Sequence, residues 1–171
     1  KYSENKIVFV KKLRVTRKQR GDIMRVLLQR VQHASVRVDG AITGSIQQGF
    51  LLLVGITPSD TEDIMRKMAG KCAQLRVFED ENGKMNRGLQ DIGGSILSIS
   101  QFTLYADCKR GRRPGFEKAA RGDFAQPMYH AFNEELRTYG IHVETGIFGA
   151  DMKVDLLNDG PVTILLDSEE W

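Results

Sequence analysis

The sequence predicts a mixed α/β fold, a single domain in which antiparallel and mixed β-sheets curl toward a barrel and pack against two main helices. About eight segments have the alternation or the short apolar runs of β-strands, and hairpin turn signals join several of them. Two long segments have helical periodicity, and strands and helices do not alternate as they would in a parallel sheet. A chain of 171 residues with 41% hydrophobic content is long enough to bury one sizeable core.

The start of the chain differs in composition from the rest, so we divide it into a basic extension, residues 1–23, and a domain, residues 24–171. The extension carries eight Lys and Arg residues and two acidic ones, which leaves the domain with a net charge of −3. Basicity therefore supports nucleic-acid binding by the domain only at a local patch. The extension has no apolar run long enough for a signal sequence or a membrane span. We interpret it as an added segment or a targeting remnant, with Met24 as the natural start.

The first half of the domain has strand signals followed by helix signals. Alternating residues around the turn signal Asp39–Gly40 predict a hairpin, and the continuous apolar run at 50–56 predicts a buried strand. Ser59 and Glu62 have the spacing of a capping box, and apolar residues at helical spacing continue to about Leu75. We therefore expect the first helix here.

The second half adds a hairpin, a strand, a helix and three short strands. Asn82–Gly83 predicts a two-residue hairpin turn, and residues 95–105, rich in Ile, Phe, Thr and Tyr, predict a single strand. A helix is expected from about Asp123, with Pro127 in its first turn and Gly140 as its stop. The segments IHVETGIF, MKVDLL and VTILLD then predict three separate strands.

The sequence lacks the common catalytic and metal-binding motifs. The histidines His33, His130 and His142 have none of the spacings that join metal ligands, so we expect no metal. Glycine motifs for phosphates or dinucleotides and a nucleophile elbow are also missing, so we expect no cofactor. Cys72 and Cys108 fit no ligand spacing, and as free thiols they favour a reducing compartment, the cytoplasm.

Two short stretches are unusual enough to suggest a function. SQFTL, residues 100–104, places polar side chains in a strand-like context, and NDGPVT, residues 158–163, places a proline between strand-like segments. Proline removes a backbone donor from a sheet, so the pair Gly160–Pro161 needs a reason beyond strand formation. Each stretch alone is a weak signal, since most Gly-Pro pairs are trans turns.

Taken in order, five stretches resemble the D-aminoacyl-tRNA deacylase family over essentially all of residues 24–171: MRVLLQRV, RVFED with ENGKMN, SQFTLYAD, KRGRRPGF, and GIFGADM with NDGPVT. SQFTL and NxGPxT are the most specific of these motifs. The resemblance implies a hydrolase that cleaves the ester between a D-amino acid and the 3′-terminal adenosine of tRNA. It also implies a homodimer in which a cis Gly-Pro pair reaches into the partner's active site.

The resemblance implies roles for individual residues. The catalytic group that it implies consists of Ser100, Gln101, Phe102 and Thr103. The group that it implies for the exclusion of L-amino acids consists of Arg30, Asn158, Gly160 and Pro161. Adenosine or tRNA contacts are implied for a third group: Phe148, Met152, Lys109, Arg110, Arg112 and Arg113. We expect main-chain amides of the strand that carries Phe102 and Thr103 to stabilise the oxyanion, while a tRNA ribose hydroxyl assists the attacking water.

The sequence leaves several alternatives open. Thr103 is either a positioning residue or, in an older proposal for the family, a nucleophile, although no residue is obviously placed to deprotonate it. Glycyl-tRNA is expected as an unintended substrate because glycine has no side chain to exclude. The rival interpretations are a relative with a trans Gly-Pro bond and altered chirality, and a non-catalytic protein that binds tRNA or a small ligand.

Overall fold

The computed structural model describes residues 24–170, which form eight strands and two helices. The strands are β1 (Arg25–Val38), β2 (Ala41–Ile46), β3 (Gly49–Gly55), β4 (Arg76–Glu79), β5 (Met85–Gly88), β6 (Ser95–Ser100), β7 (His142–Thr145) and β8 (Lys153–Asp167). The helices are α1 (Glu62–Gln74) and α2 (Gly122–Thr138), and short 3₁₀ turns form at Gln90–Ile92, Phe102–Tyr105 and Ser168–Glu170. The basic extension, residues 1–23, lies outside the described residues.

Strand β1 is the centre of a six-stranded sheet. One edge of β1 pairs antiparallel with β8 over almost its whole length, from Arg25 opposite Asp167 to Arg37 opposite Lys153. The other edge pairs with β3 over the first half of β1 and with β2 over the second half. Strands β6 and β7 extend the sheet in parallel beyond β3, and β4 with β5 forms a separate hairpin.

The sheet curls until β2 comes close to β7. Gly44 on β2 lies so near β7 that a Cβ atom there would stand 2.7 Å from the carbonyl oxygen of Thr145. A glycine is required at this contact because a side chain would push the two strands apart. The mixed α/β, barrel-like fold predicted from the sequence is therefore confirmed.

Strand β3 is packed on both faces of the sheet. Phe50 and Leu52 of β3 face the two helices, whereas Leu51 between them faces a second, smaller cluster inside the curl. The helices contribute Met65, Met68 and Cys72 from α1 and Phe132 and Leu136 from α2. The apolar run at 50–56 is continuous because β3 is buried on both sides, as predicted. Within residues 24–170, neither helix is long and apolar enough to cross a membrane.

The first helix begins differently from its prediction. The prediction of a capping box at Ser59 and Glu62 is wrong, because the N-cap of α1 is Thr61. Its Oγ1 accepts a hydrogen bond from the main-chain amide of Ile64 at 3.3 Å. The preceding Asp60 accepts main-chain amides with both carboxylate oxygens and so holds the chain in a turn before the helix. The helix starts only after that turn.

The second helix also differs in one detail. It begins at Gly122, so Pro127 lies in its second turn and not in the first. The missing amide of Pro127 leaves one helical bond unmade at a position that solvent reaches. Gly140 stops the helix as predicted, with a φ of 74° and its amide bonded to the carbonyl of Arg137.

Two strand predictions are wrong. Residues 95–105 do not form one strand, because β3 ends at Gly55 and β6 has no partner beyond Ser100 on that side. The two segments around Gly160–Pro161 are not separate strands, because both pair with the 14-residue strand β1 and join into β8. The hairpin at Asn82–Gly83 does form, but its turn spans 80–84 and not two residues, because the Asp80 carboxylate accepts two amides of the loop.

Candidate active site

A cleft of about 390 Å³ opens where β6 ends, between the start of α2 and the segment after β7. Most of its lining is apolar or small: Val54, Ile56, Ile99, Ala120, Gly122, Ala125, Gly149, Ala150 and Val154. Five predicted site residues line the same cleft, namely Ser100, Gln101, Phe102, Phe148 and Met152. The volume suits a ligand of nucleoside size.

The turn Phe102–Tyr105 borders the cleft. The amide of Gln101 donates to the carbonyl of Val54 at 2.7 Å and fixes the turn to the end of the sheet. In a 3₁₀ turn the first amides lack an acceptor three residues back within the turn, and here these are the amides of Phe102 and Thr103. The expected main-chain donors therefore lie on a 3₁₀ turn and not on a strand, which corrects the sequence-based expectation.

The side chains of this turn are held by polar and aromatic contacts. The hydroxyl oxygen of Thr103 accepts a hydrogen bond from Nε2 of Gln101 at 2.5 Å, so its observed partner is an amide and not a base. Phe102 is 55% exposed and packs edge-on against Phe116, with ring centres 5.0 Å apart. The exposed ring shields the turn from one side.

Phe148 forms the aromatic wall of the cleft. Its ring lies 5.9 Å from the ring of Tyr129 on α2, and the Tyr129 hydroxyl donates to the carbonyl of Ser98 at 2.7 Å. Burial raises the pKa of Tyr129, so the phenol stays protonated and keeps this bond. Met152 packs over Gly146, where a Cβ atom would lie only 2.4 Å from its Sδ. The side chains of Phe148 and Met152 are therefore both packed against residues outside the cleft.

Sequence reasoning missed several lining residues. Asp151 lies at the exposed rim, where its carboxylate pairs with Nζ of Lys153 at 2.8 Å. Val54, Ala120 and Gly122 come from separate segments that the topology of the sheet brings together. Small and aliphatic residues give no motif signal, and only their proximity to SQFTL in the fold identifies them.

The predicted filter residues form a loop on β8. Gln29 pairs with Thr163 and Val31 with Asn158, so 159–162 loop out of the sheet opposite the single residue Arg30. The Gly160–Pro161 peptide bond is cis, and Gly160 has a φ of 136° that favours glycine.

Two side chains hold this loop. Asn158 closes its base, because its Oδ1 accepts the amide of Val162 at 2.8 Å and its Nδ2 donates to the Val162 carbonyl at 3.1 Å. Arg30 is only 6% exposed, and its Nε donates to the carbonyl of Asp159 at 2.9 Å. A second Arg30 bond reaches the carbonyl of Val77 on β4. The loop is therefore tied to the neighbouring hairpin.

The loop and the cleft are separate within one chain. Val154 is the cleft-lining residue of β8, and Gly160 lies six positions further along the strand. Six residues of extended strand span about 20 Å. The structure therefore brings five of the predicted catalytic and adenosine residues together in the cleft, with Thr103 on the bordering turn, but not the predicted filter.

The predicted basic patch is a loop that leaves the catalytic turn and returns to it. Asp107 and Gly115 exchange main-chain hydrogen bonds at 2.8 and 2.9 Å, which pinches the loop at its base. Its four cations, Lys109, Arg110, Arg112 and Arg113, are all exposed. Phe116 follows directly and packs on Phe102, so the base of the loop adjoins the cleft.

Titratable clusters are not part of this site. Across residues 24–170, no three His, Cys, Asp or Glu side chains come together in a way that could hold a metal ion. Cys72 is buried and Cys108 is exposed, and neither is in a disulfide. Burial raises the pKa of the Cys72 thiol to about 12, so it is an inert core residue.

The fold and the cleft define a class of protein, a barrel-like α/β domain with a nucleoside-sized apolar cleft bordered by main-chain donors. A family model described as D-Tyr-tRNA(Tyr) deacylase matches residues 27–167 of the chain. The chain belongs to this family.

Individual relatives agree with the family match. The chain is 58% identical over 147 residues to the D-aminoacyl-tRNA deacylase of Thermus aquaticus, covering 86% of this chain and 97% of the relative. It is 59% identical over 146 residues to that of Bacillus cytotoxicus, covering 85% of this chain and all of the relative.

Two solved structures are similar to the fold. A protein described as c-Myc DNA Unwinding Element Binding Protein superposes with a TM-score of 0.77 at 40% identity, covering 83% of this chain and 97% of that one. A probable eukaryotic D-amino acid tRNA deacylase superposes with a TM-score of 0.73, covering 84% of this chain and 98% of that one. At 17% identity, the second match supports the fold alone.

Proposed function

We propose that this chain hydrolyses the ester bond between a D-amino acid and the 3′-terminal adenosine of tRNA. The observation that carries the proposal is the apolar cleft beside the turn Phe102–Tyr105, in a chain that belongs to the D-Tyr-tRNA(Tyr) deacylase family. Relatives that are 58% and 59% identical are named D-aminoacyl-tRNA deacylase, and the chain covers nearly all of their length.

The cleft binds the terminal adenosine in this proposal. Phe148 offers a ring for stacking on adenine, and Tyr129 behind it fixes the orientation of that ring. Met152 and Val154 supply apolar contacts, while Ser100 and Gln101 offer polar groups near the ribose. With the adenosine bound in this way, the aminoacyl ester would lie against the turn that follows Gln101.

Hydrolysis then relies on position and on main-chain donors. An aminoacyl ester is already labile, so holding it beside a water and stabilising the developing oxyanion supplies much of the acceleration. The amides of Phe102 and Thr103 are the donors, and a ribose hydroxyl of the substrate assists the water. Thr103 is a positioning residue in this scheme, because its hydroxyl is bound by an amide and no base activates it.

Chirality is set by the loop Asp159–Val162. Its main-chain carbonyls accept hydrogen bonds from the ammonium group of the substrate, and its rigid backbone excludes the side on which an L side chain would point. Gly160 allows close approach of the backbone, and Arg30 with Asn158 holds the loop in place. Exclusion of this kind does not reject glycine, so glycyl-tRNA is a second substrate.

The loop acts in the cleft of a second copy of the chain. Leu27 stands opposite Leu53 on β3 and Leu165 on β8, and this apolar row faces away from the helices. Leu27 and Leu53 are half-buried and Leu165 is 54% exposed, so one chain leaves the Leu165 end of the row uncovered. A homodimer that buries the row supports the cross-subunit site, and a monomer that still discriminates D from L substrates would contradict it.

The basic loop, residues 109–113, binds phosphates of the tRNA near its 3′ end. Its four cations are exposed and its base adjoins the cleft, which suits a nucleic acid that enters from that side. We place the activity in the cytoplasm, or in an organelle if residues 1–23 are a native targeting segment.

The direct test is incubation of the purified chain with D-Tyr-tRNA and measurement of free D-tyrosine and intact deacylated tRNA. The proposal predicts catalytic release of the amino acid at a rate far above spontaneous hydrolysis. Retention of the tRNA without release would instead identify a non-catalytic RNA-binding protein.

A further inference from the structure

We propose that Arg25 is a positioning residue for this hydrolysis, because its side chain holds the turn Phe102–Tyr105 that supplies the oxyanion donors. Arg25 is not part of the cleft lining and touches the turn from outside the cleft. The inference rests on the proposed function, since it concerns the amides of Phe102 and Thr103.

The side chain of Arg25 contacts two residues in the second half of the turn. Its Nη1 donates to the carbonyl of Leu104 at 3.2 Å, and its guanidinium carbon lies 4.9 Å from the centre of the Tyr105 ring. A charged hydrogen bond and a cation–π contact thus act on two successive residues of the turn. These contacts hold the second half of the turn, together with the hydrogen bond from the Tyr105 hydroxyl to the carbonyl of Gly55 at 3.4 Å.

The guanidinium is itself fixed by the β1–β8 pair. Nε of Arg25 lies 2.7 Å from Oδ2 of Asp167, and the two residues are directly opposite in the strand register. Their side chains are 25% and 14% exposed, so the pair is partly shielded from solvent. The Asp167 carboxylate orients the fork so that Nη1 points at Leu104.

Gly55 supports the turn from the end of β3. A Cβ atom at Gly55 would lie 2.9 Å from Cε2 of Tyr105, 3.2 Å from Cβ of Leu104 and 3.3 Å from the carbonyl oxygen of Gln101. The amide of Ala106 donates to the carbonyl of Thr103 at 3.0 Å and the amide of Leu104 to the carbonyl of Gln101 at 3.4 Å, so hydrogen bonds link the two halves of the turn. Displacement of its second half therefore displaces the amides in its first half.

The test compares kcat and KM for D-Tyr-tRNA in Arg25→Met, Arg25→Lys and Gly55→Ala. Loss of the Arg25 contacts with Leu104 and Tyr105 lowers kcat by about 10- to 100-fold in Arg25→Met, because a small misplacement of the oxyanion donors weakens transition-state stabilisation. KM changes by less than about threefold, since the aromatic wall at Phe148 is untouched. Arg25→Lys keeps the charge but not the fork, and its kcat falls between those of the wild type and Arg25→Met.

Arg137→Met is the matched control. Arg137 also joins a carboxylate and a main-chain carbonyl, at 2.6 Å from Glu134 and 2.8 Å from Val143, but at the α2–β7 contact away from the cleft. Its substitution leaves kcat unchanged. Hydrogen exchange of 101–106 provides a readout that does not depend on activity, and it accelerates in Arg25→Met but not in Arg137→Met.

If Arg25→Met fails to fold, Arg25→Lys decides the test, and Gly55→Ala measures separately how strongly kcat depends on the position of the turn. The inference is overturned if kcat and hydrogen exchange of the turn in the folded Arg25 variants match those of Arg137→Met, whatever the result for Gly55→Ala. If the wild-type chain releases no D-tyrosine, the proposed function itself is wrong. Hydrogen exchange of 101–106 would then still show whether Arg25 holds the turn.

Discussion

Replacing Asn158 by alanine tests whether the loop Asp159–Val162 is the chiral filter. Asn158 bonds the amide and the carbonyl of Val162 at 2.8 and 3.1 Å, and these two bonds close the base of the loop. Each bond contributes about 1 kcal/mol net, so the pair contributes about 2 kcal/mol to loop order. At about 1.4 kcal/mol per tenfold, its loss lowers the population of the ordered loop by up to about 30-fold.

The assay measures kcat/KM for D-Tyr-tRNA and for L-Tyr-tRNA with the wild type and the variant. We expect the D-to-L ratio to fall by about 10- to 30-fold in Asn158→Ala, since a loosened loop both binds the ammonium group less well and excludes L residues less well. Asn158→Asp keeps the acceptor for the Val162 amide but loses the donor, so its ratio is intermediate. An unchanged ratio in Asn158→Ala would refute the role of the loop.

Three further predictions concern the cleft and the core. Phe148→Ala raises KM for D-Tyr-tRNA by about tenfold or more with a smaller effect on kcat, because base stacking is lost; equal KM values would exclude adenine from this wall. Thr103→Ala keeps kcat within about tenfold of the wild type, whereas loss of a nucleophile would cost several orders of magnitude. Burial raises the pKa of the Asp60 carboxyl from 3.8 to about 6, although hydrogen bonds from the main-chain amides of Thr57 and Met24 lower it. The folded chain then binds a proton that the unfolded chain has released, so the free energy of unfolding falls as pH rises from about 4 to 6. Urea titrations should show that slope in the wild type and a weaker one in Asp60→Asn.

Features of the fold governed by local chemistry were predictable. The hairpin at Asp39–Gly40 follows from residues that tolerate positive φ, and the structure has φ values of 50° and 82° there. The end of α2 at Gly140 likewise follows from one glycine. In both places the sequence signal and the structure act over a few neighbouring residues.

Features set by distant partners were not predictable. Phe102 and Leu104 belong to a stretch of good strand formers, yet they form a 3₁₀ turn because the neighbouring strand ends at Gly55. The continuity of β8 through Gly160–Pro161 depends on the length of β1, which lies over 120 residues away in the sequence. Long-range pairing overrides local propensity at both places.

The part of the candidate site that is formed by residues of the recognised motifs was predictable from the sequence. The first three residues of SQFTL, Ser100 to Phe102, line one cleft with Phe148, but the aliphatic walls from Val54 and Ala120 have no sequence signature. Arg25 is also invisible to motif reasoning, because its relevance comes from a hydrogen bond to Leu104 across 79 positions of the chain. Neighbours of this kind are defined by topology and not by sequence spacing.

The most direct test of the proposed activity is the ratio of kcat/KM for D-Tyr-tRNA to that for L-Tyr-tRNA with the full chain. We predict efficient release of D-tyrosine, and release of L-tyrosine close to the spontaneous rate of ester hydrolysis, since the proposed filter at Gly160–Pro161 would exclude the L side chain. Comparable release from both substrates would contradict a D-specific filter at Gly160–Pro161.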